Sequence, residues 1–231
     1  MQKKIIIAID GPCSAGKSTI SRLLSERLNY INIDTGAMYR AVALAIRRAG
    51  VDLEDSATIA KLCCQLDIHF KRSEDVVYGE TVWLGDEDIS ELIRTPEMSL
   101  LTSKAAACAE VRSCLLDLQR EMGADGGVVL EGRDIGSVVF PDAQVKFYLR
   151  ASAQARGKRR YEELKLNGED VTLEQTIAEV EQRDTADSGR EHAPLMQAAD
   201  AVVIDSTLMS IEQVLDKMLA VVNERLDGCA V

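Results

Sequence analysis

The run Ile5-Ile6-Ile7-Ala8-Ile9-Asp10, followed at once by Gly11-Pro12-Cys13-Ser14-Ala15-Gly16-Lys17-Ser18, leaves this chain few ways to fold. An apolar run of that length bounded by a turn reads as a buried strand. The pattern G-x-x-x-x-G-K-[ST] between a strand and an amphipathic helix is a loop that wraps phosphate. Successive backbone N–H groups of such a loop face inward, and the helix behind it presents its positive end to an anion. Gly16 lets the backbone pass close to the phosphates with no Cβ in the way. Lys17 can reach the outer phosphoryl oxygens, and Ser18 can supply a hydroxyl to Mg²⁺. The expected nucleotide-binding set is therefore Gly11, Pro12, Cys13, Ser14, Ala15, Gly16, Lys17, Ser18 and Thr19. Cys13 reads as a small residue filling a slot, because phosphoryl transfer needs no nucleophile from the protein.

Beyond the loop, helical and strand patterns alternate. A strand at about 4–9 and a helix at about 17–28 are followed by a strand at 31–33 and helical periodicity through Met38, Val42, Leu44 and Ile46. Residues 66–94 change character: apolar and polar residues alternate around turn-formers, which predicts two or three short antiparallel strands inserted into the alternation. Helices at about 96–108 and 110–122 return the chain to the core, and strands at 128–130, 145–149 and 201–204 alternate with helices at 152–166, 172–184 and 210–226. Strands separated by helices call for a parallel sheet covered on both faces, an α/β fold.

Composition narrows the partners. With a net charge of -11 and only 4% aromatic residues, the chain lacks both the basic surface and the stacking platforms of a nucleic-acid binder. A few focused cations can still hold a small phosphorylated ligand within an acidic protein. The six cysteines, at 13, 63, 64, 108, 114 and 229, form no C-x-x-C and have only His69 and His192 to help bind zinc. They read as reduced and mostly buried. No segment has the length of a signal peptide's apolar region or of a membrane span, so the expectation is a cytoplasmic protein.

Three clusters speak to what receives the phosphoryl group. Asp34-Thr35-Gly36-Ala37-Met38-Tyr39-Arg40 follows the second strand, where ligands collect in such sheets. Thr35 and Arg40 could hold a phosphate there with Tyr39 at its edge; equally, Asp34 or Thr35 could simply cap a helix. Glu131-Gly132-Arg133-Asp134-Ile135-Gly136 sets two carboxylates and a guanidinium at a strand's end, where an anion and a metal would satisfy them. The stretch 150–160 carries Arg150, Arg156, Lys158, Arg159 and Arg160 with no acidic residue. Arginines that close over a transferring phosphoryl group stabilise its spread charge and exclude water, so this stretch reads as a lid; a solvated helix face balanced by Glu162 and Glu163 is the alternative.

The segments IDGPCSAGKST, IDTGAMYR, IRTPE, EGRDIGSVVFPDA, RDTADSGREHAPL and DSTLMSIEQV together resemble bacterial cytidylate kinases, of the nucleoside monophosphate kinase fold, in that family's order along nearly the whole chain. The resemblance implies a P-loop kinase with a five-stranded parallel sheet, its core in 1–37 and 97–231, a β-containing acceptor-binding insertion over 38–96 and a mobile helical lid over 152–170. It implies ATP and CMP or dCMP as substrates, Mg²⁺ as cofactor, and a monomer with neither nucleic acid nor membrane as partner. In family terms Thr35, Arg40, Arg133 and Arg190 hold the acceptor phosphate, Ser103, Arg112 and Asp134 read the cytosine edge, and Tyr39, Arg183 and Asp187 meet the sugar. Lys17, Arg133, Arg159 and Arg190 are expected to stabilise the transferring group, with Arg156 and Arg160 on ATP. Ser18 would hold the metal, with Asp34 and Glu131 acting through water. Ala186 stands where some relatives carry another arginine, so the lid has fewer charges here. A GTPase would need a guanine-reading N-K-x-D, which the chain lacks. Another small-molecule P-loop kinase is the nearest rival, and the acceptor profile separates the two.

Overall fold

A computed structural model describes residues 4–72, 80–190 and 194–228. His192, Cys229 and the turn-formers 73–75 and Gly79 lie outside the described residues. The chain forms two compact units, one of residues 1–33 and 125–231, the other of 34–124.

In chain order the elements are β1 (Ile6–Asp10), α1 (Lys17–Leu28), β2 (Ile31–Asp34), α2 (Thr35–Ala49), α3 (Ser56–Cys63), β3 (Ile68–Arg72), β4 (Glu80–Leu84) and β5 (Glu87–Asp88). There follow α4 (Pro96–Ala105), α5 (Ala109–Gly123), β6 (Val128–Gly132), β7 (Val145–Arg150), α6 (Ala153–Leu166), α7 (Leu173–Ser188), β8 (Val202–Asp205) and α8 (Ile211–Gly228).

The first unit is built on a five-stranded parallel sheet of order β2-β6-β1-β7-β8. β1 lies at its centre because it is apolar on both faces. Ile5, Ile7 and Ile9 join Val129, Phe147 and Leu149 in one core, to which α1 contributes Ile20 and Leu24 and α8 contributes Val214, Met218 and Val222. The helical residues recur every fourth position, which turns one stripe of each helix onto the sheet. Burying each such side chain stabilises the fold by about 1.5–3 kcal/mol. Register then sets the site: Ile9 lies opposite Glu131, and Asp10 opposite both Gly132 and Tyr148, so β1, β6 and β7 bring their carboxyl ends level.

The second unit packs α2 against α3, α4, α5 and β4, with the antiparallel sheet β3-β4-β5 in register Ile68 to Leu84. Nine residues of α2, among them Met38, Val42, Leu44 and Ile46, are buried, which makes this helix the unit's core. The unit runs to residue 124, taking in two helices that the sequence reading placed with the P-loop core; α4 and α5 pack on α2 and α3, respectively.

Two elements differ usefully from their sequence expectation. β6 continues through Glu131 and Gly132, which are buried like the rest of the strand. α7 runs on through Thr185-Ala186-Asp187-Ser188, a stretch in which only Ala186 is a good helix former. It stays helical because Asp184 and Asp187 find arginine partners, and its start is fixed by a capping box between Thr172 and Gln175.

Candidate active site

Strain in the chain begins where the phosphate loop does. At Gly11 (φ 151) a Cβ would lie 2.0 Å from the Leu149 carbonyl oxygen, so no other residue lets β1 turn over the end of β7. Ser14 and Gly16 both adopt left-handed backbone, φ 55 and 97, and Gly16 caps α1. Such alternation folds successive peptides into an anion-binding concavity.

The loop's carbonyls are held by its surroundings. Lys17, buried, donates from Nζ to the Pro12 carbonyl at 2.7 Å. Arg156 donates to the Cys13 carbonyl at 3.1 Å, and Arg159 to that of Ala15 at 3.2 Å. Thus two of the arginines expected in a lid brace the phosphate loop, while Arg160 pairs with Glu163 on its own helix at 2.8 Å. α6 lies close on α7 because Gly157 has no side chain: a Cβ there would meet Ile177 Cγ1 at 2.4 Å. Cys13 is buried, its thiol 3.8 Å from Asp184, in keeping with a slot-filling role. Thr19 is exposed on α1.

Ser18 Oγ donates to Glu131 Oε2 at 3.0 Å, with Ser21 3.4 Å from the other oxygen. A hydroxyl beside a buried carboxylate is a hard, oxygen-only donor pair, which suits a cation that keeps most of its waters. Beyond β6, Arg133 donates Nε to Asp187 Oδ2 at 2.8 Å, and Arg190 reaches the other oxygen of the same carboxylate. Burial by itself would raise the Asp187 carboxyl, but Arg133 and Arg190 outweigh it and hold it below the ordinary value. Burial, then the nearby charge of Arg133, brings the Lys17 ammonium down to about 7, and Arg183 adds to the effect.

The sequence reading passed over Asp10. Its buried carboxylate accepts from the backbone N–H groups of Ile135 and Gly136, each at 2.8 Å, and so pins the single π-helical turn Ile135–Val139 that follows Asp134. Burial, mainly, raises its carboxyl to about 6. Asp134 is itself buried beside it. Ser206 was also missed; it donates to the Ala15 carbonyl at 3.2 Å.

In the 34–124 unit, Asp34 caps α2, accepting from Ala37 N at 3.0 Å and from Arg40 at 2.9 Å. Thr35 is buried at the first position of α2. The Arg112 guanidinium lies 5.5 Å over the Tyr39 ring, a cation–π contact joining α5 to α2. Ser103 is half-buried on α4.

The sequence profile of cytidylate kinase matches residues 7–224. The chain belongs to the cytidylate kinase family. It is 60% identical over 229 residues to the cytidylate kinase of Syntrophotalea carbinolica, covering 99% of this chain and 96% of that one. It is 56% identical to that of Geobacter sulfurreducens (97% and 95% covered) and 46% identical to that of Bacillus subtilis (97% and 99%). As a member of the cytidylate kinase family it is a nucleoside monophosphate kinase, a transferase with small-molecule nucleotide substrates. Among the described residues no helix is long and apolar enough to cross a membrane.

Proposed function

We propose that this chain transfers the γ-phosphoryl group of Mg-ATP directly to CMP or dCMP, giving ADP and CDP or dCDP. The observation that carries the reading is the gathering of cations behind the phosphate loop: buried Lys17 feels the charges of Arg133 and Arg183, and Arg133 and Arg190 share one carboxylate, Asp187. Such crowding is costly unless an anion enters, and phosphate is the anion that both the loop and the family favour.

On this reading the loop 11–19, with Arg156 and Arg160, receives ATP. Thr35, Arg40, Arg133 and Arg190 hold the acceptor phosphate in line, and Tyr39, Arg183 and Asp187 meet the sugar. Cytosine's exocyclic amine donates to Ser103 or Asp134, while Arg112 satisfies its O2 and N3. Uracil would turn a carbonyl toward the same acceptors, an unpaired polar contact that a buried site rejects. The acceptor phosphate is already ionised near neutral pH, so the residues need only orient it. Lys17, Arg133, Arg159 and Arg190 then balance the charge that develops on the moving group. Ser18 would hold Mg²⁺ directly and Glu131 and Asp34 through water, and the bound ion would neutralise phosphoryl oxygens. We read the protein as a cytoplasmic monomer with residues 152–170 as its lid.

The test is a coupled ADP-release assay with Mg-ATP and equal concentrations of CMP, dCMP, UMP, AMP and GMP. Preference for CMP and dCMP is expected. Turnover led by a purine nucleotide would overturn the assignment of Ser103, Arg112 and Asp134.

A further inference from the structure

We infer that Asp184 is a positioning residue for the donor-phosphate loop, acting through Arg156. The inference rests on the reading above, in which that loop receives ATP. A loop of this kind grips phosphate with N–H groups, so its affinity depends on where its peptide planes point. A trans peptide sets the carbonyl of one residue opposite the N–H of the next, and whatever holds the carbonyl outward therefore aims that N–H the other way. Three carbonyls of the loop show how this is done. Lys17 holds Pro12, Arg159 and Ser206 together hold Ala15, and Arg156 holds Cys13 at 3.1 Å. The Cys13–Ser14 peptide matters most, because Ser14 is the loop's one non-glycine residue in left-handed backbone (φ 55) and resists that conformation by itself.

Arg156 can do this only if its plane is fixed. Its side chain is 5% exposed, and its Nε donates to the Ala151 carbonyl at 2.9 Å. Asp184 takes the rest, accepting from Nη1 at 3.0 Å and from Nη2 at 2.5 Å. A two-point carboxylate grip sets both the position and the rotation of a guanidinium. Without it, a buried charge loses its partner and must turn to find another, releasing the Cys13 carbonyl. Asp184 is an anion and would repel phosphate, so whatever it gives ATP binding comes through the cation that it holds. Three residues on, Asp187 does the equivalent for Arg133 and Arg190. α7 therefore carries two carboxylates one turn apart, each organising a different set of cations.

The experiment compares Asp184→Asn and Asp184→Glu with the unaltered chain. Calorimetric Mg-ATP binding without acceptor is measured beside steady-state KM values for ATP and CMP. Asp184→Asn is expected to weaken ATP binding and raise its KM about tenfold, with the CMP KM changed less than about twofold. Asp184→Glu keeps the charge but moves it one methylene outward, so an intermediate ATP affinity is expected. Unaltered ATP affinity in Asp184→Glu, or in a folded Asp184→Asn, would overturn the inference, as would equal weakening of ATP and CMP. Should Asp184→Asn fail to fold, the Glu variant alone decides. Failure of the unaltered chain to bind ATP would instead sink the reading on which the inference stands, and that outcome is seen before any variant is made.

Discussion

The two units bury different shares of their candidate site residues. In the unit of 1–33 and 125–231, Asp10, Lys17, Glu131, Asp134, Arg156 and Asp187 are all buried, and Asp10, Lys17, Glu131, Arg156 and Asp187 are matched by opposite charge, hydroxyl or backbone groups. In the unit of 34–124, Asp34 and Arg40 remain 16% and 19% exposed, and Arg112 and Ser103 are half-buried. Charges under apolar cover are held by their neighbours and reorganise little when a ligand arrives, which is what stabilising a transferring phosphoryl group requires. On the proposed reading the first set is therefore bound up with stability as well as turnover, while the second is tied mainly to acceptor affinity.

Asp187→Asn strikes the comparison hardest. It leaves Arg133 and Arg190 around a neutral amide, so denaturant unfolding should show a loss of about 3–5 kcal/mol, together with a raised CMP KM. A full loss of CMP affinity with unchanged stability would break the contrast.

Asp10 offers a subtler test through pH. Its carboxyl titrates near 3.8 when unfolded and at about 6 when folded, because burial disfavours the charge. Between those values the native state holds the extra proton. This group's stabilisation is thus fully present below 3.8 and is lost as pH rises through about 6. Going from roughly pH 7 to pH 5, it should add about 1 kcal/mol relative to an Asp10→Asn variant, as read by denaturant midpoints at each pH. A flat difference between the two chains would show that Asp10 stays charged in the fold.

The smallest stability effect is expected at Arg112. Arg112→Lys removes the flat guanidinium over Tyr39 and its fork of donors for the base, so the preference for CMP over UMP should fall about tenfold. Unfolding free energy should move by less than about 0.5 kcal/mol, since the contact is partly exposed. A large stability loss here would erase the distinction between the units.

What could be read from the sequence follows the range of the interactions involved. The phosphate loop is local: a strand, its turn and a helix within residues 5–28 announce it. Ser18 and Glu131 were legible only as separate metal contacts; their direct bond depends on the sheet register that sets Glu131 opposite Ile9. Asp10 was hidden because its partners lie 125 and 126 residues away and are backbone amides, which leave no trace in residue type. The arginines of 150–160 were visible as a cluster of charge. Their carbonyl partners at Cys13 and Ala15, 143 and 144 residues off, were not. Asp184 shows the same limit, because nothing in R-D-x-x-D says which carboxylate faces which arginine.

The central claim is that Lys17 and the arginines gathered with it support transfer of a phosphoryl group from ATP to a cytidine nucleotide. Phosphorus NMR of the chain with Mg-ATP and CMP tests it most directly. The account predicts CDP and ADP appearing in equal amounts as ATP and CMP disappear; ADP accompanied by inorganic phosphate, with CMP untouched, would contradict it.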